Sequence, residues 1–534
     1  SSFFLSKIAA GHVIHLSGYS WFPFVLLFAL SSWKMPLFSL SFCCFVLAVS
    51  LQFFSGHLQV WFHTIIFLAL IFFYKLISSF RRKPESRLLD SGFRRNDDRM
   101  ILVVLTSSLL FLSLVLVQLL PTLEFMGESM RAGMTSLFNI ESVYNFATSY
   151  SMRWKDLICL IYPNFFGNPI TKSYIDPAHP SIYFETQAIY FGFVPLLLAF
   201  SANLYLIKKK KYLLPLLSLI FLTLAMGKNS ALYDWFWKTL SFLRVPARFY
   251  FLFFATSLLA AAFYWEEKIV NQGAKIKWIL ISLTLLDLFL VSRGWLAAEN
   301  HLKKLGRSQA MSWLQAQLPN GKADRIFTTG EISNPNKTIF FHLQNFNGYE
   351  AIFQKSYLYY FSLSQGADNI SSTGALEVPH PNDRSFSLSG VRYLISLNPL
   401  DRPWPLKYND GQIRIYENQN LNRMLQESEF KYFYHRVNSN KMSVKVKNLS
   451  QDSSTLRLTE AYAPGWKIWN ESGDYQHPYK TDSYFQAMDL TSKEDQKFYW
   501  CYWPKEFTIG LLGTVLTLFF LTFLGMRTLA TRYL

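Results

Sequence analysis

The chain has 534 residues, of which 51% are apolar and 18% aromatic, phenylalanine alone contributing 50. Charged residues make up only 16%, against about 25% in an average soluble protein, yet mean hydropathy is a mild +0.14, so a membrane part is averaged with a polar one. The net charge of +17 would suit a nucleic-acid partner, but that reading is discounted because many basic residues sit in short loops between apolar runs, where they set membrane orientation.

The length calls for two or more structural units. The chain opens at Ser1 with no charged region ahead of an apolar core, unlike a signal peptide, and natural residues are expected ahead of it. A membrane span needs about 20 mainly apolar residues. In chain order the apolar runs are 19–33, 36–54, 58–78, 100–120, 187–207, 212–227, 245–264, 277–292 and 507–526, which predicts nine spans. Four basic clusters separate them: the 81–99 loop with seven Lys or Arg against four acids, the run Lys208 to Lys211, Lys268 with Lys275 and Lys277, and Arg527 with Arg532. One parity of spans puts all four on the same side, which the positive-inside rule makes cytoplasmic. The opposite side then receives 121–186, 228–244 and everything from about 293 to 506.

The predicted architecture is therefore an α-helical polytopic membrane protein with a large extracytoplasmic domain between its last two spans. Residues 1–292 form the transmembrane domain. Residues 293–430 form a mixed α/β region, with a helix at Ala310 to Leu318 and strands at Val391 to Leu397 and Gln412 to Tyr416. In 431–506 apolar and polar residues alternate, as in Met442-Ser-Val-Lys-Val-Lys and Thr455-Leu-Arg-Leu, the pattern of half-buried antiparallel strands in a small β-sandwich. Residues 507–534 are the last span and a cytoplasmic tail.

Candidate site residues fall at the ends of the spans. His57 and Gln59, with Gln52 and Gly56, surround a turn between two spans, where His57 either meets a headgroup or caps a helix. Glu124, Glu128 and Arg131 stand at i, i+4 and i+7 and would share one helix face. Such carboxylates either bind a divalent metal or act as a general base, or they belong to an ordinary salt-bridge ladder. Arg244 and Arg248 bracket Pro246 where the 245–264 run begins, on the side where the charge rule disfavours arginine. Their forked guanidinium groups suit phosphate oxygens, and they equally suit snorkelling toward headgroups beside interfacial tryptophans. Asp287 lies near the outer end of its span, where it either serves a function or reaches water. The four cysteines form no disulfide framework and lack zinc-ligand spacing. No Gly-rich phosphate loop, serine nucleophile elbow or His-Glu-x-x-His motif occurs, so no metal site is assigned.

Nine segments, in order along nearly the whole chain, resemble the bacterial YfhO family of polytopic membrane proteins. They are Leu51-Gln-Phe-Phe-Ser-Gly-His-Leu-Gln59, Leu120-Pro-Thr-Leu-Glu-Phe with Ser129-Met-Arg131, Tyr162-Pro-Asn-Phe-Phe-Gly167, Tyr190-Phe-Gly-Phe-Val-Pro195, Leu243-Arg-Val-Pro-Ala-Arg248, Gly390-Val-Arg-Tyr-Leu394, Ile415-Tyr-Glu-Asn418, Tyr462-Ala-Pro-Gly-Trp-Lys467 and Tyr502-Trp-Pro-Lys-Glu-Phe-Thr-Ile-Gly510. The resemblance implies a GT-C-type glycosyltransferase of the bacterial cytoplasmic membrane. Such an enzyme takes a sugar from a polyprenyl-phosphate carrier on the outer membrane face and transfers it to a cell-envelope glycan or lipid acceptor. It makes Arg244 and Arg248 candidates for phosphate binding; His57, Gln59, Arg131 and Asp287 are further candidate polar residues of a substrate site. It also places the catalytic acid in a first external loop that lies ahead of Ser1, so the enzyme is expected to be N-terminally incomplete here, with Glu124 and Glu128 only as substitutes. Two other readings compete: a non-catalytic envelope-assembly protein whose β domain binds glycan or a partner, and a transporter of a lipid-linked intermediate. The transporter reading is last, since no internal repeat is visible and the charges gather at the outer interface.

Overall fold

The computed structural model describes residues 1–80, 91–129, 140–167, 182–241, 243–293, 309–318, 324–329, 335–348, 354–357, 359–360, 383–400, 404–421, 431–447, 454–490 and 495–533. Arg131 lies outside them, as does most of the basic 81–99 loop. The chain divides into two compact units.

The first unit gathers Ser1–Val115, Phe138–Glu299 and Gly513–Leu534. Among the described residues, five helices are long and apolar enough to cross a membrane: Val13–Ser32, Leu58–Ser78, Asp98–Gly127, Pro246–Ile269 and Lys505–Thr528. They match five of the nine predicted runs. Three more runs form shorter apolar helices, Leu40–Phe54, Phe193–Lys208 and Leu213–Ala225. At a rise of about 1.5 Å per residue these reach roughly 20–24 Å, short of a hydrocarbon core about 30 Å thick. The ninth, Ala274–Arg293, is 20 residues long but carries Lys275, Lys277, Asp287 and Arg293.

Large apolar side chains point outward from these helices, among them Leu105, Leu109, Leu516, Phe519 and Phe523. In water that pattern would be costly; against lipid it is the expected face. Inward, polar side chains bond helix to helix. Buried Gln52 donates to the Gly18 carbonyl at 3.0 Å and to the Thr64 hydroxyl at 2.8 Å, and Ser218 donates to Thr256 at 2.9 Å. Small residues let backbones approach, as at buried Ala202 and Ala260, which pack together with Leu206.

The second unit holds Leu116–Leu137 and Asn300–Leu512, and most of it is β-rich. Strands β1 (Arg325–Thr328), β2 (Val391–Ser396), β3 (Leu406–Asn409) and β4 (Arg414–Glu417) form a sheet in the order β1-β2-β4-β3. Only its β1–β2 pair is parallel. The helix Gln309–Gln317 places Ala310, Met311 and Leu314 in a core with Ile326, Tyr393 and Ile415.

Further along come β5 (Lys431–Asn438), β6 (Lys441–Lys447), β7 (Ser454–Ala461), β8 (Trp466–Asn470), β9 (Tyr475–Gln476), β10 (Tyr479–Thr481), β11 (Phe485–Leu490) and β12 (Gln496–Tyr502). Five of them make an antiparallel sheet, β5-β6-β12-β8-β9, and three make another, β10-β11-β7. The period-2 alternation sends Met442, Val444 and Val446 inward, where they meet Leu456, Leu458, Met488 and Leu490 of the smaller sheet. A single core fed by both sheets is the packing of a sandwich.

At Gly510, near the start of the Lys505–Tyr533 helix, a Cβ would stand 2.4 Å from the Leu116 carbonyl oxygen. Only glycine permits that crossing of backbones.

Candidate functional site

Within the first unit, five separate segments converge on one polar cluster. The helix Ser2–Ala9 supplies Lys7, and the turn after it supplies His12. His15 lies in the first turn of Val13–Ser32, so His12 and His15 stand three residues apart on adjacent positions of one face. His57 and Gln59 come from the start of Leu58–Phe80. A π-helical turn, Tyr183–Gln187, supplies Glu185. Arg248 comes from the short 3-10 turn Pro246–Phe249.

Backbone bonds fix these segments. Ser2 and Tyr190 exchange bonds, Ser2 N–H to the Tyr190 carbonyl and Tyr190 N–H to the Ser2 hydroxyl, each at 2.8 Å. The Tyr250 hydroxyl donates to the Ile189 carbonyl. Gln187 donates to buried Asp156 at 3.3 Å, and Asp156 is itself paired with Arg153 at 2.9 Å. Val245 has φ +57, an outlier for a β-branched residue of the kind that costs about 1–3 kcal/mol. Its neighbours hold it there, since Val245 N–H bonds the Ala147 carbonyl and Ala247 N–H bonds that of Tyr150. Gly227 packs against Pro246 so closely that a Cβ would lie 2.7 Å from the ring and 2.1 Å from the Ser151 hydroxyl. Arg248 is thus presented from a strained and braced turn.

Glu185 is the centre of the charges. Its Oε2 accepts from Lys7 Nζ at 2.7 Å, and its Oε1 accepts from Arg248 Nη2 at 3.3 Å. His12 Nδ1 stands 3.6 Å from the same Oε1. The Arg248 guanidinium also donates to Gln59 Oε1 at 3.0 Å and lies 3.4 Å from His57 Nε2. Gln59 donates in turn to the Arg244 carbonyl. The His15 and His57 rings meet at 3.8 Å and those of His12 and His15 at 4.8 Å.

The electrostatics follow from burial and pairing. Burial alone would raise the Glu185 carboxyl, but the Arg248 and Lys7 charges outweigh it and hold the group well below the usual carboxylate range. Burial draws the Lys7 ammonium down, against the pull of Glu185. His57 is pushed down to about 3, first by burial and then by the Arg248 charge, and burial lowers His12 as well. The imidazoles outside the spans are therefore neutral at pH 7. One carboxylate faces two cations, which leaves a net charge of about +1 in a largely buried place.

Four polar atoms here have no hydrogen-bond partner among the described residues: His12 Nδ1, His15 Nδ1, the Tyr19 hydroxyl and Arg248 Nε. Native interiors satisfy nearly all such groups, so several around one cluster mark a place shaped for a polar ligand. The positive balance fits an anion. His12, His15 and Glu185 also each offer one metal-ligating atom, all within 4.8 Å of one another.

The predicted site residues divide. His57, Gln59 and Arg248 come together in the cluster. Arg244 contributes its carbonyl to it, while its guanidinium lies over the Phe146 ring at 5.1 Å. Asp287 is engaged elsewhere. It accepts from the Tyr190 hydroxyl at 2.6 and 2.7 Å and from Phe193 N–H at 2.8 Å, at the N-terminus of the Phe193–Lys208 helix where a negative charge is favourable. Glu124 and Glu128 belong to the second unit. The helix ends at Gly127, so only Glu124 is helical. Glu124 neighbours Glu506 and Lys505, and the Glu128 carbonyl accepts from Lys355 N–H at 2.9 Å.

Lys7, His12, His15 and Glu185 were not predicted. Their signals are present but faint: a lysine inside an otherwise apolar helix, a His-x-x-His pair where a span begins, and an acid in the apolar run Ile182-Tyr-Phe-Glu-Thr-Gln-Ala-Ile-Tyr190. Comparison of the chain with protein-family models, with curated proteins and with solved structures found no match.

Proposed function

We propose that the chain is a membrane glycosyltransferase of the YfhO type, which moves a sugar from a polyprenyl-phosphate carrier to a cell-envelope acceptor on the outer face of the bacterial cytoplasmic membrane. The observation that carries this reading is the Arg248 guanidinium, which points into a buried, net positive cluster where a span begins. A lipid-linked phosphate sits at that depth, and its charge would balance the cluster.

In the transfer step an acceptor oxygen bonds the anomeric carbon as the bond from that carbon to the phosphate oxygen breaks. The electron pair passes to the phosphate, where Arg248 and Lys7 stabilise it, a role worth roughly 10²–10³ in rate for one such donor. The acceptor proton goes to a carboxylate base. Glu185, held ionised between two cations, is instead the positioning residue that aims them. Nine spans, with the β-rich unit outside the cytoplasm, are part of the same proposal. The nine apolar runs and the common side of the basic clusters support it.

The test is envelope glycosylation in cells that carry the chain with Arg248→Ala in place of the wild type. Loss of the sugar from the acceptor, with the protein still inserted in the membrane, is expected. Wild-type glycosylation would contradict the reading.

A further inference from the structure

We propose that His12, His15 and Glu185 form a divalent transition-metal site that fills together with the phosphate of the bound donor. Two imidazoles and a carboxylate are a recognised ligand set for zinc and related ions. The geometry lies close to what such an ion needs. Ligand atoms around tetrahedral zinc are about 3.4 Å apart, from bonds near 2.1 Å. His12 Nδ1 and Glu185 Oε1 are already at 3.6 Å, and the three ligand atoms span no more than 4.8 Å.

A second observation points the same way. Nδ1 of His15, a residue only 4% exposed, has no hydrogen-bond partner among the described residues, and neither does Nδ1 of His12. An orphaned buried imidazole nitrogen is costly unless something ligates it. The His12 side chain, 41% exposed, gives an ion a way in.

The cations beside Glu185 decide when the site can fill. Lys7 and Arg248 occupy both carboxylate oxygens, and a divalent ion entering alone would raise the net charge from about +1 to about +3. A phosphate that draws Arg248 and Lys7 to its own oxygens frees the carboxylate and offsets the added charge. Metal and phosphate then bind cooperatively, each raising the affinity of the other by the same factor. The phosphate half of this inference rests on the donor-binding reading above; the ligand set does not.

Cobalt(II) is the probe, titrated into the full chain in phosphate-free maltoside micelles and followed by its visible ligand-field bands. The titration is run alone, with inorganic phosphate and with polyprenyl phosphate. Affinity at least tenfold tighter with a phosphate present, and loss of the bands in His12→Ala/His15→Ala, is expected. An equal effect of the two phosphates assigns the coupling to the phosphate group, and an effect of the lipid alone assigns it to the carrier; both uphold the site. Absence of bands from the wild type in every arm overturns the proposal, whether or not the variant folds, and so does an affinity that no phosphate changes. Phosphate binding measured separately by ³¹P NMR without cobalt shows whether the donor-binding reading has failed too.

Discussion

The Lys7 ammonium and the Glu185 carboxylate, 178 positions apart in the chain, meet at 2.7 Å with side chains 0% and 5% exposed. A buried pair of this kind is weak evidence of stability, because desolvation of both ions offsets their attraction, but breaking it leaves a buried charge with less compensation. Lys7→Met alone is therefore expected to destabilise the protein by about 3–5 kcal/mol. Lys7→Met with Glu185→Gln should cost less than the sum of the two single changes, by roughly 0.5–3 kcal/mol. Thermal melting of the four proteins in detergent checks this, and additive losses would rule the coupling out.

The two arginines around Pro246 are predicted to differ. The Arg248 guanidinium contacts Glu185, Gln59 and His57, whereas that of Arg244 lies over Phe146. Arg248→Ala should lower the rate of sugar transfer by about 10²–10³, and Arg244→Ala by clearly less. Equal losses in a cell-based glycosylation assay would show that the two guanidinium groups act alike and would contradict this difference.

Acid should loosen the cluster through His57. Its folded-state pKa, about 3, lies below the unfolded value of about 6.5. Neutral His57 therefore contributes stability that is fully present above pH about 6.5 and is lost as pH falls toward the folded value, because the unfolded chain takes up the proton first. The melting temperature of the wild type should drop between pH 7 and pH 4 more steeply than that of His57→Gln. Parallel curves would remove this role for the imidazole.

Gly510 offers a test outside the cluster. A methyl group there would meet the Leu116 carbonyl oxygen at 2.4 Å, and backbone cannot yield as a flexible side chain can. Gly510→Ala is expected to cost about 1–3 kcal/mol by overpacking, seen as a lower melting temperature; an unchanged transition would place more room at that crossing than the structure shows.

How much was legible in the sequence depended on whether a signal is local. Strands such as Lys441–Lys447 follow from alternation within a few residues, and long apolar helices follow from composition. Span length was less legible, because a mainly apolar run does not show where its helix starts: 36–54 is mostly apolar, yet its helix begins only at Leu40 after the Ser39 cap and is 15 residues long. Arg248 stood out because arginine is disfavoured at a span end on that side, and His57 because it stands with other polar residues at a turn between two spans. Glu185 did not, because its meaning comes from Lys7 and Arg248, which are near only in three dimensions. Asp287 was visible as a charge in a span, but its engagement by Tyr190 and Phe193 depends on a helix about 95 residues earlier.

The phosphate-binding role of the buried cluster is tested by the binding of polyprenyl phosphate to the purified chain in nanodiscs, wild type against Arg248→Ala. Saturable binding that weakens at least tenfold in the variant while the fold persists is expected. Equal binding by the two proteins, or none by the wild type, would contradict it.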